Sequence, residues 1–149
     1  MRIEVLYCGM CHSDPHQVKN DWHNTTYPCV PGHEIIGRVV AASSTVTKFK
    51  TGDVMGVGCM VDSCGTCNSC REGEENYCEG PMDRTATYNG YMKSQSKDFN
   101  TFGGCSTNIM VKELFVLRIP DALDIKAAAP TLCVGITYPP MKHWKVGLG

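Results

Sequence analysis

The sequence lacks an excess of basic residues, a long apolar run and an N-terminal secretory pattern. Its 14 Lys and Arg residues are balanced by 15 Asp and Glu residues, for a formal net charge of −1, whereas a nucleic-acid-binding surface needs a basic excess. No apolar run approaches the roughly 18 residues that a membrane-spanning helix requires. The first ten residues lack the charged-then-apolar layout of a signal peptide. We therefore expect a cytoplasmic protein that binds neither nucleic acid nor membrane.

Cysteine is the residue type that the sequence has in abundance, with ten in 149 residues. A secreted disulfide scaffold is one interpretation, but without a signal peptide clustered cysteines more often bind metal. The length suits one ordinary domain, and the hydrophobic fraction of 42% is that of a globular protein.

Short strands separated by turns dominate the local pattern, which predicts a mainly β protein with little helix. The predicted strands span residues 3–7, 34–42, 54–58, 106–111 and 115–119. A short helical turn is predicted over 13–19, and a helix through 126–129 with Asp121 or Asp124 as its cap. Pro130 is predicted to begin another helical segment, which Pro139 and Pro140 should disturb or end.

Residues 60–100 form a long stretch with little periodicity, and such a loop needs something to hold it together. Within it lie four closely spaced cysteines: Cys64, Cys67, Cys70 and Cys78. Zinc prefers four such ligands in a tetrahedron, and a four-thiolate site leaves no position for water, so the spacing predicts a structural zinc site. An iron–sulfur cluster and a set of unpaired thiols are the alternatives.

A second set of candidate ligands is scattered along the chain. It comprises Cys11 in Gly9-Met10-Cys11-His12-Ser13-Asp14, His33 in Pro31-Gly32-His33-Glu34, and Cys133 in Leu132-Cys133-Val134-Gly135. Alone, each is a weak signal, because a single cysteine in an apolar stretch is more often a buried small hydrophobe.

These motifs, in this order and with the Cys64/67/70/78 run between them, resemble the zinc-dependent medium-chain alcohol dehydrogenases. The resemblance covers nearly the whole chain and is closest to the branch of cinnamyl alcohol dehydrogenases and broad-specificity aldehyde reductases. It implies a GroES-like β-barrel catalytic domain over residues 1–149, with a structural zinc lobe at about 60–100. It also implies zinc at two sites and NADP-linked hydride transfer to or from a small-molecule alcohol or aldehyde.

The resemblance also implies roles for individual residues. Cys11, His33 and Cys133 match the ligands of the catalytic zinc, with Glu34 nearby. Asp14 matches the carboxylate that orients the histidine ligand. Ser13 and His16 match the inner and outer members of a proton relay. His12 matches a residue that faces the cofactor phosphates, although a merely solvated histidine is an equal alternative. For Trp22 and Tyr88, core packing is favoured over a place in a substrate channel.

The sequence also departs from the family's pattern. Cys105 stands in place of an aromatic residue, and the segment after Cys133 is one residue shorter, which predicts a loosened third ligand. The stretch 145–149 matches the linker before the first Rossmann strand and is not a dinucleotide fingerprint, which would need a third glycine and a following helix. We therefore expect the chain to be a fragment without the cofactor-binding half, where the family's usual dimer contacts lie. A zinc-binding barrel without turnover is the alternative function.

Overall fold

One antiparallel sheet organises the chain. The computed structural model describes residues 1–80, 85–90 and 100–147. The sheet contains β1 (Arg2–Gly9), β2 (Glu34–Ala41), β3 (Val54–Val57), β6 (Asn108–Met110) and β7 (Val116–Arg118), in the order β6-β1-β2-β3-β7. The predicted strands are therefore found, although the last two are shorter than predicted. The central pair aligns Gly9 with Glu34, which brings the end of β1 beside the start of β2.

The two faces of the sheet carry two apolar clusters. One is built on Ile3, Ile35, Val39, Met55 and Val57, each fully buried. On the other face, Ile36 packs with Ala128 and Ala129. Successive side chains of a strand point to opposite faces, so the adjacent pair Ile35 and Ile36 places β2 in both clusters. The burial of β2 on both faces makes it the strand that positions the chain's other elements.

Helix α3 (Ile125–Val134) covers the Ile36 face of the sheet. Asp124, rather than Asp121, is its N-cap, and its side chain accepts a hydrogen bond from the Lys126 amide at 2.9 Å. The prediction that Pro130 begins a new segment is wrong, because Pro130 lies within α3.

A tight turn rather than a proline ends α3. The helix passes through a 3₁₀ turn (Gly135–Thr137) into helix α4 (Tyr138–His143). Pro139 and Pro140 lie in the first turn of α4, where a missing amide donor is tolerated. They therefore start a helix instead of disturbing one.

The described part of the predicted lobe at 60–100 contains more regular structure than its sequence pattern indicates. It contains β4 (Met60–Asp62) paired with β5 (Thr85–Ala86), helix α2 (Asn68–Arg71) and a 3₁₀ turn (Glu75–Tyr77). Residues 81–84 and 91–99 of this stretch lie outside the described residues, as do Leu148 and Gly149 of the predicted linker.

The predicted β-rich architecture is confirmed, but the described strands do not close into a barrel. The short strands β6 and β7 are the two edges of the five-stranded sheet and do not pair with each other. In the same residues no helix is both long and apolar enough to cross a membrane.

Candidate metal centres

The four cysteines of the lobe converge on one point. The Sγ atoms of Cys64, Cys67, Cys70 and Cys78 all lie within 4.8 Å of one another, and those of Cys64 and Cys70 are 3.9 Å apart. In a tetrahedral zinc site with bonds of about 2.3 Å, sulfur atoms are about 3.8 Å apart. The geometry therefore fits zinc.

Backbone amides stabilise two of these sulfur atoms, those of Cys64 and Cys67, as thiolates. Cys64 Sγ accepts hydrogen bonds from the amides of Thr66 and Cys67 at 3.4 and 3.3 Å. These bonds lower the pKa of Cys64 to about 5. The amide of Glu79, in the same way, lowers the pKa of Cys67. Since the thiolate is the form that binds metal, the loop is arranged for a cation. Gly65 permits this wrapping with a φ of +69°.

A second cluster is assembled from three distant segments. Ligand atoms of Cys11, His33, Glu34 and Cys133 lie within 4.8 Å of one another, and the sulfur atoms of Cys11 and Cys133 are 3.9 Å apart. Cys11 follows β1, His33 and Glu34 open β2, and Cys133 lies near the end of α3. Pairing of β1 with β2 and packing of α3 on both strands therefore bring the cluster together. Cys133 takes part in this cluster although the segment after it is one residue shorter than the family's pattern.

Asp14 is the buried centre of this arrangement, with 2% of its surface exposed. Its carboxylate accepts hydrogen bonds from the Cys11 amide at 2.8 Å and the Gly32 amide at 2.9 Å. Its Oδ1 also lies 3.4 Å from Nδ1 of His33. A proton on Nδ1 leaves Nε2 of the ring as the nitrogen available to a metal. Asp14 thus fixes both the loop of Cys11 and the ring of His33.

Glu34 carries the clearest sign that something is to be bound here. Only 4% of the residue is exposed, and its Oε2 has no hydrogen-bond partner among the described residues. Burial raises the pKa of this carboxyl, while the charge of His33 lowers it. An unpaired buried carboxylate oxygen beside two thiols and an imidazole would be satisfied by a cation. The donor set therefore fits zinc.

Cys59 also reaches this cluster, and the sequence analysis missed it. Its thiol lines the same cavity as His33 and is the largest cause that raises the pKa of that imidazole to about 9, to which the charge of Asp14 also contributes. Strand pairing could have revealed it, because Ile35 aligns with Val57 in β2 and β3. Continuing this antiparallel register two residues past the ends of the pairing, back to 33 and on to 59, brings His33 opposite Cys59.

A cavity opens beside the second cluster. Its lining residues include Ser13, Trp22, His33, Cys59, Tyr88 and Cys133. The prediction that Trp22 packs in the core is wrong, because this residue is 50% exposed. Tyr88 is 8% exposed, and the centroid of its ring lies 5.6 Å from that of the His33 ring. Both aromatic residues thus border the space next to the candidate metal.

The residues predicted for the proton relay are less closely associated. Ser13 Oγ lies 3.6 Å from the Cys11 sulfur, at the cavity. His16 is exposed, with Nδ1 2.8 Å from Asp21 Oδ2, and His12 stacks on it with ring centroids 5.0 Å apart. Among the described residues no hydrogen bond joins Ser13 to His16, so their joint role stays a prediction.

Comparison with known proteins decides the family. Residues 1–121 match the model of the alcohol dehydrogenase GroES-like domain. The chain belongs to this family. It is 50% identical over 151 aligned residues to aldehyde reductase YahK of Escherichia coli, covering 100% of this chain and 42% of that protein. It is 53% identical over 144 residues to cinnamyl alcohol dehydrogenase 8 of Arabidopsis thaliana, covering 96% and 38%.

The fold agrees with that of solved relatives. The cinnamyl alcohol dehydrogenase of Helicobacter pylori, crystallised with NADP(H), superposes with a TM-score of 0.87 at 41% identity, covering 99% of this chain and 42% of that one. A cinnamyl alcohol dehydrogenase of Sorghum bicolor gives the same TM-score at 47% identity, covering 97% and 40%. The chain thus spans about two fifths of the length of these relatives.

Proposed function

We propose that residues 1–149 are the zinc-binding catalytic domain of an NADP-linked oxidoreductase that interconverts small alcohols and aldehydes. The structural lobe then occupies about residues 60–100. The observation that carries the proposal is the second cluster, where Cys11, His33 and Cys133 meet beside a cavity. A zinc ion held there by two thiolates and one imidazole would act as a Lewis acid toward a substrate oxygen.

The chain's own residues would prepare that site. Asp14 holds the His33 ring through Nδ1, and the side chain of Ser13, at the cavity, would pass the alcohol proton toward His16. Trp22 and Tyr88 border the space for an apolar substrate. His12 is the one residue that we assign to the cofactor. The unpaired cysteines support a reducing, cytoplasmic location.

A chimera tests this function directly. We would replace the matching part of aldehyde reductase YahK, to which this chain aligns along its whole length, and follow NADPH oxidation with an aromatic aldehyde. We expect turnover by the chimera and its loss in a His33→Ala version that still carries the lobe zinc. A folded chimera with two zinc ions and no turnover would contradict the proposal.

The second candidate is a zinc-binding domain without turnover, favoured by the lobe cluster, whose four cysteines leave no ligand position for a substrate. Zinc per chain, measured by plasma mass spectrometry before and after mild chelation, separates the candidates. Two ions, one of them lost in His33→Ala, support the enzyme. A single ion that depends on Cys64, Cys67, Cys70 and Cys78 supports the non-catalytic domain.

A further inference from the structure

Two cysteines that belong to neither metal cluster lie against each other. Cys8 is half-buried in β1, and Cys105 is exposed shortly before β6. Burial, and after it the charge of the neighbouring Cys105, raises the pKa of the Cys8 thiol. The two residues are far apart in sequence, so the fold and not the local chain brings them together.

The space around Gly32 shows how closely the two residues approach. Gly32 has a φ of +104°, and a Cβ atom built on it would lie 2.6 Å from Cys8 Sγ and 2.8 Å from the Cys105 amide nitrogen. Those two atoms are therefore no more than about 5.4 Å apart. A Cβ atom on Gly104, next to Cys105, would lie 2.9 Å from the same Cys8 sulfur. The Cys8 sulfur thus lies beside the backbone of Cys105, and rotation of the Cys105 side chain can turn its sulfur toward that of Cys8, as a disulfide requires.

Both thiols are held on fixed backbone. Three hydrogen bonds tie the Cys105 segment to the turn before His33, from the amides of Gly103, Gly104 and Cys105 to the carbonyls of Val30, Gly32 and Pro31, at 2.7, 2.9 and 3.0 Å. Cys8 is fixed by the pairing of β1 with β2, where it aligns with Ile35. Two groups held in this way react with a high effective concentration.

We propose that Cys8 and Cys105 form a reversible disulfide when the protein meets a low-molecular-weight disulfide such as oxidised glutathione. The exposed Cys105 thiolate attacks one sulfur of the oxidant, whose S–S bond breaks, so that a mixed disulfide forms and one small thiolate leaves. Cys8 Sγ then gives up its proton to a small thiolate and attacks the Cys105 sulfur, the bond of the mixed disulfide breaks, and the second small thiolate leaves and is protonated by solvent. Two protein thiols are oxidised, and one small disulfide is reduced to two thiols.

The other cysteines outside the two clusters are placed differently. Cys59 contacts His33 and Cys133 in the second cluster. Cys29 is partly buried. Burial and the charge of Asp14 raise the pKa of its thiol, and no cysteine contributes to that shift. Cys29 is therefore the matched control, since it adjoins the same turn without a thiol partner.

The disulfide would join the strand that leads to Cys11 to the segment that hydrogen-bonds the turn before His33. It would therefore brace two of the three segments of the second cluster without using any of its ligands. Formation of the disulfide does not require the chain to turn over a substrate. A negative result for the disulfide can therefore be told apart from a negative result for the proposed function.

Peptide mass spectrometry tests the disulfide. The zinc-loaded chain is equilibrated in glutathione buffers of increasing oxidised fraction, quenched with acid, alkylated and digested with trypsin without reduction. We expect one cross-linked peptide to replace the two alkylated peptides in parallel, about 2 Da lighter than the sum of the two thiol peptides because two hydrogens are lost. Cys8 and Cys11 share a tryptic peptide, so fragment ions between them identify the linked residue.

Three variants complete the test. Cys29→Ser should retain the cross-link, whereas Cys105→Ser, at an exposed position, should abolish it and leave Cys8 open to alkylation. Cys8→Ser should leave Cys105 as a glutathione adduct. The proposal is overturned if the unaltered chain accumulates that adduct with Cys8 reduced, or if Cys105 links to another cysteine.

Discussion

The two metal clusters have similar dimensions but are built in opposite ways. In the lobe, four ligands come from residues 64–78, and few side chains there are buried, Cys78 among them at 3% exposure. In the second cluster the ligands come from both ends of the chain and rest on a sheet whose central residues are fully buried. The lobe therefore depends on its metal for order, while the core builds the second cluster before any metal arrives.

The largest effect should follow from breaking the lobe. Cys78→Ser removes a buried ligand, and structural zinc sites contribute on the order of 10 kcal/mol to the order of small domains. We expect the loss of one zinc ion per chain and rapid proteolysis within 64–80, with the sheet intact. Plasma mass spectrometry and limited proteolysis measure both. Cys29→Ser should leave both unchanged, and a protease-resistant lobe without metal would contradict the comparison.

The next effect concerns the support of the second cluster. Asp14 accepts hydrogen bonds from two amides and faces His33 Nδ1. Asp14→Asn keeps the shape of the side chain but replaces one of these acceptor oxygens by an NH₂ donor, so at least one of these interactions is lost. An unsatisfied buried group costs about 1–3 kcal/mol, and loss of such support typically weakens metal affinity 10- to 100-fold. Urea unfolding and competition with a zinc chelator measure the two quantities.

The lobe provides the internal control for this variant. Its zinc should be retained in Asp14→Asn, because the lobe shares no ligand with the second cluster. Equal weakening of both zinc sites would show that the two regions are not independent.

A smaller effect should come from the packing behind Cys133. Leu132 on α3 packs against the cluster of Ile36, Ala128 and Ala129. Leu132→Ala should cost about 1–3 kcal/mol of unfolding free energy, below the range for fully buried leucines because this one is only partly buried. Zinc affinity should fall at the second cluster alone. The control is Leu123→Ala, at a residue that is 50% exposed, and equal losses in both variants would contradict the assigned role of α3.

The same contrast explains what the sequence could predict. The spacing of Cys64, Cys67, Cys70 and Cys78 predicts the lobe cluster because two-residue gaps restrict where neighbouring thiols can lie. The β-branched residues Ile35, Ile36, Val39 and Val40 predict β2, and its bounds differ from the prediction by one residue. Both features depend on residues close together in the chain, so the sequence alone is enough to predict them.

The second cluster could not be derived in this way. Nothing in the spacing of Cys11, His33 and Cys133 indicates that they meet, because the approach depends on strand register and on how α3 packs. The family resemblance supplied those ligands, but it supplied neither the contact of Cys59 with His33 nor that of Cys8 with Cys105. The resemblance also implied a β-barrel, and the described strands form a sheet that stays open at its edges, β6 and β7.

The smallest effect concerns the junction between the core sheet and the lobe. The Glu113 carboxylate accepts hydrogen bonds from the amides of Thr47 and Lys48 at 3.0 and 2.9 Å. Its neighbour Lys112 pairs with Asp62 of β4 at 2.6 Å. The bond from the Lys48 amide is the main cause that lowers the pKa of Glu113. Its folded pKa therefore lies below its unfolded pKa of about 4.3.

Because the folded pKa is lowered, the stabilisation by Glu113 is present above the unfolded pKa and lost as pH falls through the folded pKa. Glu113→Gln should slightly lower the urea midpoint at pH 7, and its difference from the unaltered chain should shrink at pH values below about 4. Glu4→Gln, which removes an exposed carboxylate from β1, is the control. Lobe zinc at pH 7 should be unchanged, since the junction only connects two regions that are stabilised separately. Release of that zinc by Glu113→Gln would show instead that the lobe depends on the core.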